Sequence, residues 1–185
     1  MTNLINSALT HGIEILPFFI LLPLVMSIVC FLIKNTSVLK WLSIVAAIIQ
    51  LLFAVFTIVF MVSQDGTTVS YVIGGWNAPL GISLSLNAFS SIMLVMLTTV
   101  SLAITWYSAT YFKDEKEAKQ FWPLSWLLNT ALCGIFLSGD LFNLYVMLEL
   151  MGLAGVSLIA INKSQNAIKA AYQYLIIGLF GSLLF

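Results

Sequence analysis

Few side chains in this sequence could do chemistry, and one stands where chemistry is hard to avoid. Glu149 lies inside the apolar run 140–161, nine residues beyond Asp140. At a helical rise of about 1.5 Å per residue it sits about 13 Å deep, near the middle of a bilayer. An ionised carboxylate there costs at least about 2.5–3.5 kcal/mol, and only pairing, water or protonation relieves that cost. A carboxyl so placed can bind and release a proton, so the chemistry it suggests is proton transfer. A purely structural role also stands open: a protonated Glu149 bonded to a neighbouring helix. On a helix, Tyr145, Gly152, Leu153 and Val156 share its face. Gly152 and Gly155 are small enough for another helix to approach closely.

Two more charges flank this segment. Asp140 follows Gly139 at the mouth of the same run, where an acid caps free N–H groups and complements the helix dipole. Capping is the role its position favours. Lys169 lies near the start of the last apolar run. An antiparallel pair of helices leaves it on the order of 10–13 Å below Glu149, and a lysine stem spans only about half of that. Direct pairing is therefore not expected; a water-linked pair remains open, and so does a lysine that simply reaches to the interface. The other candidates are weak. Cys30 and Cys133 both lie in apolar runs, with no CxxC or Cys/His spacing to suggest a metal or a disulfide framework. His11 is a lone residue near the N-terminus with no role assigned.

Positioning these groups requires a membrane. Of 185 residues, 61% are apolar and only 8% charged, against about 25% charged in a soluble domain. Mean hydropathy is +1.08. Net charge is zero and arginine is absent, which argues against a clustered basic face for nucleic acid. No nucleotide, flavin or iron–sulfur motif occurs, so no cofactor and no redox or catalytic centre of its own is expected. Residues 1–14 lack lysine, and Glu14 abuts the first apolar run, so a cleaved signal peptide is not expected.

Apolar runs at 15–33, 39–62, 84–109, 122–138, 140–161 and 167–185 predict an all-α polytopic protein of about six transmembrane helices. The fourth is expected to begin at Pro123, a good first-turn residue. Only Ser138 and Gly139 separate it from the fifth. The seven lysines, at 34, 40, 113, 116, 119, 163 and 169, all fall in the first, third and fifth connections. By the positive-inside rule those connections face the cytoplasm and the N-terminus lies outside. The charged segment from Lys113 to Lys119 reads as a solvated loop or helix end. The loop 66–87 alternates apolar and β-branched residues, which suggests a short β-hairpin with Asn77-Ala78-Pro79 near its turn and Trp76 at the interface. Residues 1–121 would hold three helices and this hairpin, and 122–185 the next three.

Three stretches resemble one family. Gly74-Gly75-Trp76-Asn77-Ala78-Pro79-Leu80-Gly81-Ile82 is similar to a loop of the antiporter-like membrane subunits. These are the proton-translocating subunits of NADH:quinone oxidoreductase (complex I) and the large subunits of Mrp-type cation/proton antiporters, those of the D type especially. The run from Gly139 to Glu149 resembles their fifth helix, and Ala170–Leu175 with Gly181–Phe185 the next one. The resemblance covers about residues 15–185 and only the N-terminal third of such subunits, so that 122–185 begins their antiporter-like repeat. It implies that Glu149 is the family's transport glutamate. It also implies other membrane subunits of an antiporter or respiratory-type complex as partners, with protons and sodium as candidate ions. Where the family often has Asp, this chain has Asn87. The family's essential lysine belongs to a later helix, so the acid is here and the base is not. Two function classes follow: part of a proton-translocating subunit, acting as a cation/proton antiporter or in redox-coupled pumping, or a non-transporting scaffold that assembles such a complex.

Overall fold

The computed structural model describes residues 16–33, 35–63, 67–75, 81–112 and 115–184. Among them are six α-helices: α1 (Phe18–Leu32), α2 (Thr36–Ser63), α3 (Ala88–Tyr111), α4 (Glu115–Leu137), α5 (Leu141–Ile159) and α6 (Gln165–Leu184). Two strands, β1 (Val69–Val72) and β2 (Ser83–Leu86), lie between α2 and α3. Helices α2, α3, α5 with its tail to Asn162, and α6 are each long and apolar enough to cross a membrane, and α1 is a shorter apolar helix. His11 lies outside the described residues.

The hairpin is antiparallel, pairing Val69 with Leu86 and Val72 with Ser83. Its alternation is that of a half-buried strand pair: Leu84 and Leu86 point into the protein and Ser83 and Ser85 do not. Gly74 has φ 72°, a backbone conformation that favours glycine, in the short turn Ile73–Gly75. The expected turn at Asn77-Ala78-Pro79, and Trp76, lie outside the described residues. The third helix was expected from residue 84; residues 83–86 are strand instead, and α3 starts at Ala88. Asn87 ends the strand and caps the helix, accepting from the Ser90 backbone N–H at 2.8 Å. Its own N–H donates to the Ser90 hydroxyl at 3.4 Å, which completes a reciprocal cap.

Helix α4 also departs from expectation. It begins at Glu115, not at Pro123, so Pro123 sits inside the helix. The charged stretch is made of good helix formers. Glu115 and Glu117 occupy its first turn, where they favour the dipole, and Lys119 reaches back to Glu115 at 3.3 Å. The proline has no N–H for the carbonyl one turn earlier. Ser27 of α1 donates to the Pro123 carbonyl at 2.8 Å.

Helix α4 packs on α1, α2, α3 and α5. Two apolar clusters fill the interior. One, toward the hairpin, includes Phe19, Ala54, Leu84, Leu94, Cys133 and Leu137. The other, toward the lysine-bearing connections, includes Met26, Cys30, Leu39, Ala47, Trp122 and Trp126. A polar layer separates them. Asn129 Nδ2 donates to Gln50 Oε1 at 2.7 Å and lies 3.3 Å from Ser101 Oγ. Gln50 Nε2 lies 3.3 Å from Cys133 Sγ. Trp126 Nε1 donates to Ser43 Oγ at 3.0 Å. In hydrocarbon such groups need partners from other helices, and here three helices supply them.

Candidate functional site

Helix α5 carries Glu149, and the chain fixes the start of that helix firmly. Asp140 Oδ1 accepts the Asn143 backbone N–H at 2.7 Å, an N-cap. Its other oxygen, Oδ2, accepts from the Ser83 backbone N–H at 2.9 Å and from the Ser83 hydroxyl at 3.2 Å. Gly139 N–H donates to the Ser83 carbonyl at 2.8 Å, and Ser138 pairs with Leu84 as an isolated bridge. A Cβ on Gly139 would stand 3.0 Å from that carbonyl oxygen, so glycine is what lets strand and turn meet. Burial of the Asp140 carboxyl pushes its pKa up. The hydrogen bonds from the Asn143 backbone, from the Ser83 backbone and hydroxyl, and from the Phe142 backbone outweigh this and hold it below the ordinary carboxylate value. One carboxylate thus joins the hairpin to the helix that bears Glu149.

Glu149 is the ninth residue of α5, about 13 Å from the capped end. Its Oε1 is buried and has no hydrogen-bond partner among the described residues. Beside it, between α5 and α6, lies a cavity of about 30 Å³ lined by Glu149, Gly152, Val156, Tyr174, Gly178 and neighbouring leucines. The close approach expected at Gly152 and Gly155 is not made among the described residues, since a Cβ at either would meet nothing within 4 Å. Close packing occurs instead on the other side of α5, where a Cβ on Gly134 of α4 would collide with the Met147 side chain.

Lys169 is exposed in the second turn of α6, and no hydrogen bond or ion pair joins it to Glu149 among the described residues. Cys30 and Cys133 are buried and unbridged. No group of metal-ligating side chains occurs among the described residues. Three residues of this region are not picked out by the sequence patterns: Ser83, Tyr174 and Gly178. Tyr174 and Gly178 stand one turn apart on α6 and could have been found by that spacing. Ser83 reaches the site across 57 positions, which no local pattern reveals.

Helices, hairpin and buried acid together define a subunit-like piece of a polytopic membrane protein. The family model for the NADH-ubiquinone oxidoreductase (complex I) chain 5 N-terminus matches residues 73–122. The D-type subunit of the Na(+)/H(+) antiporter of Alkalihalophilus pseudofirmus is 31% identical over 176 residues, covering 95% of this chain and 35% of that protein. In solved structures, a chain of the membrane-bound sulfane sulfur reductase, an archaeal respiratory membrane complex, superposes with a TM-score of 0.84 at 26% identity. That match covers 91% of this chain and 35% of the other. A chain of the Mrp complex from Dietzia sp. gives 0.79 at 26% identity, covering 91% and 32%. The chain belongs to the antiporter-like membrane subunits of the Mrp and complex I type. It spans about a third of the length of the relatives it matches.

Proposed function

We propose that this chain takes part in proton translocation as a piece of a multi-subunit cation/proton antiporter or respiratory-type complex, with Glu149 as the protonation site. One observation carries the reading. A carboxyl group at mid-membrane depth has a buried oxygen with no partner among the described residues. A permanently charged group would be too costly there, whereas a group that alternates between protonated and ionised forms is suited to the place. The names of the relatives support the coarser part of this reading, a role in cation/proton translocation. Protons and sodium are the candidate ions, the partners are other membrane subunits, and a lysine from downstream sequence or from another chain supplies the basic group. The lysine-bearing connections face the cytoplasm in this reading, and Asp140 and the hairpin face outside.

The test is Glu149→Gln in the assembled complex in vesicles, which preserves shape and removes the titratable proton. Proton transport is expected to fall by about a hundredfold or more, the lower range for a positioned acid–base group. Unchanged transport would sink the assignment and favour the scaffold reading, in which the chain only holds its neighbours together.

A further inference from the structure

Helices α4 and α5 are joined by the short turn Ser138 to Asp140 and pack along each other. Where they meet, the Met147 side chain of α5 lies over Gly134 of α4. Gly134 is buried and Met147 half-buried. A Cβ at Gly134 would overlap Met147 Sδ and stand 2.7 Å from its Cγ, against about 3.5 Å for an ordinary carbon contact. Cγ hangs directly on χ1, which in a helix has two favoured wells, so bending the tip of the side chain does not relieve the overlap. Either the stem changes well or α5 turns. Glycine is a poor residue for a helix interior; here it is the hole that takes the Met147 knob. Met147 and Glu149 are two residues apart, about 200° around the helix. With Met147 seated on α4, the Glu149 carboxyl is presented away from α4, and it lines the seam with α6. The seat therefore fixes the rotation of α5, as the joint between Ser83 and Asp140 fixes its start.

We propose that Gly134 is a positioning residue for Glu149: the seat of Met147 on Gly134 sets the rotation of α5 and with it the direction of the carboxyl. This rests on Glu149 being the protonation site. Gly134 touches neither the carboxyl nor a proton and acts only through Met147. Relief of an overlap at this position requires about 1 Å of movement. The carboxyl stands about 5–6 Å off the helix axis, so a turn of about 10° carries it by about 1 Å. Misplacement on that scale costs up to about a hundredfold where transfer depends on near contact.

Gly134→Ala, Met147→Ala and the double variant, made in the full assembled complex, test this without touching a polar group. Gly134→Ala is expected to lower proton turnover by about tenfold to a hundredfold. Adding Met147→Ala removes the overlap and is expected to bring turnover back to within about threefold of the parent. A second readout does not depend on transport: the infrared carboxyl absorption that is lost in Glu149→Gln. It should shift in Gly134→Ala and return in the double variant, whereas a mere loosening of the helix pair lowers the unfolding midpoint and leaves that absorption in place. Turnover in Gly134→Ala within about twofold of the parent, an absorption that does not move, or a double variant no better than Gly134→Ala would each overturn the proposal. Should Gly134→Ala fail to assemble, Met147→Ala alone carries the test: removing the knob frees the rotation and should shift or broaden the absorption, and a band identical to the parent's overturns the seat. If Glu149→Gln transports normally while the absorption moves in Gly134→Ala and returns in the double variant, the functional assignment fails and the seat stands.

Discussion

Replacing Asp140 separates two jobs that one carboxylate performs. Asp140→Ala removes the cap on Asn143 and both contacts to Ser83, at 2.7, 2.9 and 3.2 Å. A lost cap costs about 1 kcal/mol. The Ser83 contacts are charge-assisted but half-exposed, so the pair is worth about 2 kcal/mol at the low end of the range. The sum, about 3 kcal/mol, corresponds to roughly a hundredfold easier opening of the joint between hairpin and helix. Asp140→Asn keeps an oxygen for Asn143 but turns an amide donor toward the Ser83 N–H. It should cost about 2 kcal/mol, leaving about fivefold between the two variants. The assay is amide hydrogen exchange at Ser83 and Gly139, whose N–H groups donate across this joint. The pH dependence has a definite sign. Because the folded carboxyl titrates below its ordinary value of 3.8, its stabilisation is complete above that value and is lost as pH falls through the folded pKa. The Asn variant should lack this acid limb. Equal protection of both amides in parent and Asp140→Ala, or an acid limb that survives in Asp140→Asn, would refute the account.

The polar layer and the two buried tryptophans give further expectations. Gln50→Leu and Asn129→Leu each break the 2.7 Å bond between the two amides and leave the survivor only its longer contact to Ser101 or Cys133, so each should lower stability by about 1–3 kcal/mol. The double variant should lose less than the sum, which thermal unfolding of all three in detergent would check. Trp126→Phe should cost about 1 kcal/mol more than Trp122→Phe. The ring change is the same, but Trp126 Nε1 donates to Ser43 whereas Trp122 Nε1 has no partner among the described residues. Equal unfolding midpoints for the two would remove the Ser43 contact from the stability account.

Sequence patterns reveal what is repeated locally and miss what is bonded at a distance. Apolar run length located the helices because hydrocarbon demands about twenty apolar residues per crossing. The same criterion misplaced the start of α4: it treats charge as an end of structure, whereas Glu115 to Gln120 are helix formers in water. The strand alternation at residues 69–72 and 83–86 was legible, and the point where strand yields to helix was not, since Leu84 and Leu86 are as apolar as any span. Glu149 stood out because a charge in an apolar run is rare. The cavity beside it did not, because Gly152 reads the same whether a helix presses on it or space lies over it. Only the placement of α6 distinguishes the two.

The joint between Ser83 and Asp140 also has a consequence in time. Its two halves are 57 residues apart in the chain, so at about 5–20 residues per second the strand waits roughly 3–11 s for its anchor to be synthesised. During that interval β2 has its pairing with β1 and the apolar packing of Leu84 and Leu86 against α1–α3, but no polar latch, and a two-stranded ribbon is marginal by itself. The hairpin therefore locks only after α4 and α5 have both entered the bilayer in the correct orientation. A ribosome stalled before residue 140 leaves it unlatched, and a protease on the hairpin's side of the membrane would distinguish finished chains from unfinished ones.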